Sequence, residues 1–192
     1  TMITLLLHTG LRRGELCGLE WGDINLETGL LDVQRSSLYL PEKGVFMDDT
    51  KNNSSKRVIK LTPDAVSMLR QYKAWQSRER LRIGDQWAEE WGDHPRLFTT
   101  WNGKPLHPAT VTGWFHDFIA RSDLPPVSIH SLRHTNATLL IAAGTNVRTV
   151  SAHLGHSQTS TTMNIYSHSI KSAEAAAAEA LQSVLTRSKK RA

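Results

Sequence analysis

Ser128-Ile-His-Ser-Leu-Arg-His-Thr135 puts a capping residue, an apolar anchor and three basic side chains into eight residues. Serine is a favoured helix N-cap, so the spacing predicts a helix beginning near His130. On it, His130 and Arg133 are three apart and His130 and His134 four apart, which brings all three to roughly one side. The leading pair then sits at the N-terminal end of the helix. Free N–H groups and the positive end of the dipole favour an anion there, above all a phosphate. Leu132, Leu139 and Leu140 anchor the opposite side. Taken by itself, the segment is explained at least as well by a packed His134 and a surface ion pair at Arg133.

Downstream, His153-Leu-Gly-His156-Ser precedes Tyr166 in Asn-Ile-Tyr-Ser-His168. His130, His134, His153 and His156 invite a zinc reading. However, the nearest carboxylates in sequence are Asp123 and Glu174, and Arg133 in the middle of the set repels a dication. Tyrosine is a usable nucleophile, but its ordinary pKa of about 10 leaves roughly one phenol in a thousand ionised at neutral pH. Attack therefore needs a nearby base or strong positive charge. On a phosphodiester, arginines are the groups suited to the non-bridging oxygens. Upstream, Thr9-Gly-Leu-Arg-Arg-Gly-Glu-Leu16 offers Arg12 with Glu15 three later. A carboxylate there can hold a guanidinium in place and leave its other donors for an oxyanion. It also fits an ordinary surface pair. Thr50-Lys51 enters, and Lys56-Arg57 leaves, a polar turn read as the tip of a hairpin.

Around these motifs the chain reads as mainly α with a small antiparallel β-sheet near the N-terminus, an α+β class. Met2–His8 is the end of a helix broken at Thr9-Gly10, and residues 11–20 form a short second helix. Partial alternation at 23–27, 30–34 and 57–61 predicts strands, the first two joined by a turn at Glu27-Thr-Gly. Thr62-Pro63 caps a helix with its apolar stripe at Ala65, Leu69, Tyr72 and Trp75. Pro108 opens another, carrying Val111, Phe115, Phe118 and Ile119. Val147, Val150 and Leu154 mark a short helix stopped by Gly155, and Ser157 caps the next. Residues 172–188 are alanine-rich and helix-forming. Trp21, Trp75 and Trp114 are read as core or rim packing.

The 192 residues fit one domain, with 39% hydrophobic and 21% charged residues and a net charge of +5. That is ample for a core without disulfides, and the single cysteine, Cys17, excludes an internal one and suits a reducing compartment. No apolar run approaches a membrane span. The charge is uneven: residues 1–96 hold 14 Lys+Arg and 14 Asp+Glu, whereas residues 97–192 hold 9 and 4. Seven of the nine histidines also lie in the second half. An acid-poor half rich in His and Arg points to an anionic partner such as nucleic acid, although Arg187, Lys189, Lys190 and Arg191 near the end supply four of the charges. Because the chain opens at Thr1 inside a helix, it reads as an excerpt of a longer protein.

In combination and in this order the motifs resemble the catalytic domain of the tyrosine recombinases, the family of phage integrases, chromosome-dimer resolvases and conjugative-transposon integrases. The matching blocks are 9–24 (with Leu19-Glu-Trp-Gly-Asp-Ile24), 50–61, 128–135 and 154–168, together 51 of 192 residues. The resemblance implies a fold related to type IB topoisomerases and an enzyme that cleaves and rejoins DNA through a 3′-phosphotyrosyl link, using no metal and no cofactor. It implies that Arg12 and Arg133 clamp the scissile phosphate and that Glu15 orients Arg12. Lys51 would protonate the leaving 5′ oxygen, His130 assist proton transfer, His156 hydrogen-bond the phosphate, and Tyr166 attack. It selects Arg12 over Arg13 and Lys51 over Lys56, and leaves His134 as structural.

Further implications concern the assembly. Residues 1–170 would be the catalytic domain and 171–192 a tail that packs on its own domain or on a neighbouring protomer. An N-terminal core-site-binding domain is missing from the chain. Partners would be double-stranded core-site DNA, further copies in a tetramer, and DNA-bending or excision factors, in a bacterial cytoplasm and without a membrane. The ten residues from His156 to Tyr166, against nine usual in chromosome-dimer resolvases, place the chain nearer the mobile-element integrases. A type IB topoisomerase-like relaxing enzyme and a non-catalytic DNA-binding regulator are the alternatives.

Overall fold

The computed structural model describes residues 1–49, 56–88, 95–156 and 158–165. Lys51 and the expected hairpin tip after it, Ser157, Tyr166 and residues 171–192 lie outside the described residues.

Helix α1 (Met2–Thr9) ends where the sequence breaks it: Gly10 adopts φ 60° and its N–H caps the Leu6 carbonyl. A side chain at Gly10 would be strained at that φ, and its Cβ would stand 2.7 Å from Leu154 and 2.8 Å from Asn136. The chain therefore turns there with its backbone pressed against two later helices. Helix α2 (Arg13–Gly18) follows, and then a single 3₁₀ turn at Trp21–Asp23. Strands β1 (Ile24–Asn25), β2 (Leu30–Val33) and β5 (Arg57–Lys60) form an antiparallel three-stranded sheet in the order β1-β2-β5. Leu31 lies opposite Ile59, and both are buried.

Between β2 and β5 the chain makes a second antiparallel pair, β3 (Arg35–Leu40) and β4 (Gly44–Asp49). Sequence reading found no strands there. The reason is physical: Ser37 is the buried member of β3, while Leu38, Tyr39 and Leu40 are all exposed. That reverses the usual apolar-in pattern.

Helix α3 (Pro63–Ile83) is capped by Thr62, whose hydroxyl accepts from the Ala65 N–H. Its buried stripe is Ala65, Leu69 and Gln76. Trp75, expected in the stripe, is 49% exposed and stacks on Tyr72. Gln76 takes the inner place because it can satisfy three polar groups. It accepts from the Trp21 indole N–H at 2.6 Å and donates to the carbonyls of Arg96 and Leu97. Close by, Arg35 pairs with Glu20 and Asp23, and Arg96 with Glu20. The Leu19–Ile24 motif thus encloses a buried ion network.

Helices α4 (Pro108–Ala120), α5 (Ile129–Ala142), α6 (Val147–Leu154) and α7 (Thr159–Ile165) complete the described chain. Val111, Phe115 and Ile119 of α4 are buried, whereas Trp114 and Phe118 stack on each other at the surface. One core spans α1 to α5 and the three-stranded sheet, and a smaller one joins Ala137 and Ile141 to Val150 and Leu154. The second core fixes α6 against α5, which positions the site. Among the described residues no helix is long and apolar enough to cross a membrane.

Candidate active site

Ser128 caps α5 as its residue type predicts: its hydroxyl accepts from the Ser131 N–H at 3.3 Å. This places His130 in the first turn and Arg133 on the side facing α1 and α6. Arg133 is buried, and donates to the Gly10 carbonyl at 2.6 Å and to the Leu154 carbonyl at 2.7 Å. One guanidinium therefore ties together the break after α1 and the end of α6. His134 sets its ring edge-on to His130 with centroids 4.7 Å apart.

Arg12 is the N-cap residue of α2, in extended conformation. Its N–H donates to Glu15 Oε2 at 2.8 Å and its Nη1 to Glu15 Oε1 at 2.7 Å. Its Nη2 donates to the Gly155 carbonyl at 2.8 Å. Arg13 instead points to α4 and donates to the Thr112 hydroxyl. Glu15 has a second cation that sequence reasoning missed. Arg57, the first residue of β5, donates to both of its oxygens at 3.1 and 2.9 Å, and its Nε donates to the His153 carbonyl at 2.7 Å. Burial pushes the Glu15 carboxyl up, but the Arg57 and Arg12 contacts outweigh it and hold the pKa below the ordinary carboxylate value. The sequence signal for Arg57 was slight, since it follows Lys56 at what reads as the base of a polar hairpin.

Gly155 ends α6 with φ 68°. The next residue, His156, is held by a 2.8 Å contact between its Nδ1 and the Thr162 hydroxyl of α7, a partner that is wholly buried. Burial first, and then Arg133, Arg12, Arg57 and His130, push the His156 pKa down to about 4. His130 is lowered by burial first, and then by His134, Arg133 and Arg12. His156 is therefore neutral at pH 7, His130 is shifted toward its neutral form, and both lie within the field of Arg12 and Arg133. Arg12 and His130 also line one cleft with Phe115 and Ile119 of α4, about 740 Å³ in volume. The structure thus brings four of the six expected site residues together: Arg12, His130, Arg133 and His156. Lys51 and Tyr166 lie outside the described residues. A cluster of fixed guanidinium groups beside neutral imidazoles can neutralise an oxyanion and take up or donate a proton beside it.

The architecture matches that of solved recombinases. The integrase of transposon Tn1549 in complex with transposon right end DNA superposes with a TM-score of 0.77 at 26% identity, covering 94% of this chain and 57% of that one. The XerA recombinase gives 0.64, also at 26% identity, covering 97% and 56%. The fold is that of a tyrosine recombinase catalytic domain. In sequence, a "Tyrosine recombinase XerC-like" protein of Caldanaerobacter subterraneus subsp. tengcongensis is 33% identical over 188 residues, 94% of this chain and 48% of its own length. The ICEBs1 integrase of Bacillus subtilis is 28% identical over 168 residues, 88% and 44% respectively. The model of the Phage integrase family matches residues 1–173, and the chain belongs to that family. It spans about half the length of the curated relatives it matches.

Proposed function

We propose that this chain is the catalytic part of a site-specific recombinase that integrates and excises a mobile element. The observation that carries the proposal is the convergence of Arg12, Arg133, His130 and His156 at the end of α6, in a chain of the Phage integrase family. Arg12 and Arg133 clamp the non-bridging oxygens of the scissile phosphate. Tyr166 Oη attacks phosphorus, the bond from phosphorus to the 5′ oxygen breaks, Lys51 supplies the proton to that oxygen, and His130 takes the phenol proton. His156, neutral and accepting at Nδ1 from the Thr162 hydroxyl, donates from Nε2 to a phosphate oxygen. The phosphotyrosine conserves the bond, and a 5′ hydroxyl of another strand reverses the step, so the balance needs neither water nor a high-energy cofactor. Preorganised donors of this kind contribute several kcal/mol each, about 100-fold or more in rate.

The protein acts on core-site DNA in the bacterial cytoplasm as a tetramer of the full-length chain, with bending or excision factors. Residues 1–170 form the catalytic unit, and the 171–192 tail packs in cis or on a neighbour. The test is a plasmid carrying two core sites, treated with full-length protein in the presence of a strong chelator. Recombinant products are expected at undiminished yield. Relaxation of a one-site plasmid without recombinants would favour a topoisomerase-like enzyme, and loss of activity in chelator would refute metal-independence.

A further inference from the structure

The last carbonyls of α6 can be accounted for one by one. Those of Ser151 and Ala152 accept from the His156 and Gly155 N–H groups. The next three, which a helix end leaves without backbone partners, each receive a different arginine: His153 takes Arg57, Leu154 takes Arg133 and Gly155 takes Arg12. The C-terminal end of a helix carries partial negative charge, so three cations suit it. Two of the three are the expected phosphate clamp. The side chain of the third, Arg57, is buried as that of Arg133 is: it is 6% exposed, against 39% for Arg12, and the Glu15 carboxylate it shares with Arg12 is 2% exposed.

We infer that Arg57 is a positioning residue for the phosphate site, acting through Glu15 and the end of α6. This inference rests on the recombinase reading above. Glu15 alone would neutralise Arg12. With Arg57 forked onto the same carboxylate, the three groups sum to +1, and the excess lies on the outward guanidinium, where a phosphate arrives. All three nitrogens of the Arg57 guanidinium donate to protein groups, so its work is to hold Glu15 and the α6 carbonyls still. Gly155 fits the same account. A Cβ there would stand 2.9 Å from Arg57 Nη1, so the chain keeps glycine where this guanidinium must pass.

The test uses full-length protein and a nicked suicide duplex under single-turnover conditions. Arg57→Met is expected to lower the cleavage rate at saturating DNA about 100-fold, with a far smaller change in the dissociation constant for the same duplex, which many phosphate contacts hold. Adding Glu15→Gln to Arg57→Met returns the local sum to +1, and the double variant is expected to cleave faster than Arg57→Met alone, which a merely structural role does not predict. Arg57→Lys keeps the charge but loses the fork, and is expected to fall between. If Arg57→Met does not fold, Arg57→Lys is read in its place, and a wild-type rate there overturns the inference. So does a wild-type rate for Arg57→Met, or a double variant no faster than the single one. If wild-type protein forms no covalent product at all, the recombinase reading fails. Arg57 is then judged by titration with inorganic phosphate, where weaker binding by Arg57→Met supports the inference and unaltered binding overturns it.

Discussion

His156 shows how one neutral side chain is prepared among cations. Burial and three arginines hold its pKa near 4, below the ordinary value of about 6.5. In the folded protein it therefore binds fewer protons than in the unfolded chain between those pH values. Its contribution to stability is complete above about pH 6.5 and is lost as the pH falls toward 4; His130 and His153 act in the same direction. Thermal melts are expected to show the midpoint falling between pH 7 and 5, and His156→Asn to flatten that fall. An unchanged slope in the variant would contradict the assignment. Arg133 makes a second case. Its truncation to alanine leaves the Gly10 and Leu154 carbonyls without this partner in a buried region, at an expected cost of about 2–4 kcal/mol, measurable by urea unfolding.

The arrangement of elements explains why α6 is short and sharply ended. It needs carbonyls left over for side-chain donors, a left-handed glycine and a following histidine within three residues, and Leu154-Gly155-His156 supplies them. Gly155→Ala is expected to destabilise by about 1–3 kcal/mol from the backbone alone and to displace Arg57. A heteronuclear NMR spectrum would show the change at β5 as well as at α6. Helix ends were legible in the sequence because they rest on local chemistry: Thr62, Ser128, Gly10 and Gly155 all cap or stop helices where their residue types predict. Strands β3 and β4 were not, since their burial follows a packing that alternation does not encode. Gln76 and Arg57 were missed for the same reason. A buried polar side chain is recognised by its partners, and those partners are 20 to 96 positions away in sequence. The resemblance supplied the site residues that spacing alone left open, namely the choice of Arg12 over Arg13 and the weight given to His156.

For the molecule as a whole, the uneven charge of the sequence acquires a location. The second half carries the whole excess of +5, yet the site also draws Arg12 and Arg57 from the balanced half and brings them to the end of α6. Net charge thus points to an anionic partner, while placement gathers the cations where the proposed mechanism needs a phosphate. Phosphate contacts dominate DNA affinity, so binding of core-site DNA by the full-length protein is expected to weaken steeply as salt rises, and Arg12→Ala to reduce that slope by about one unit. On the proposed mechanism Tyr166 carries the DNA. The most direct test of this is a denaturing gel of full-length protein incubated with a nicked suicide substrate bearing the core site. Wild-type protein should shift into a covalent protein–DNA band, and Tyr166→Phe should give none. An equal band from Tyr166→Phe would contradict the account.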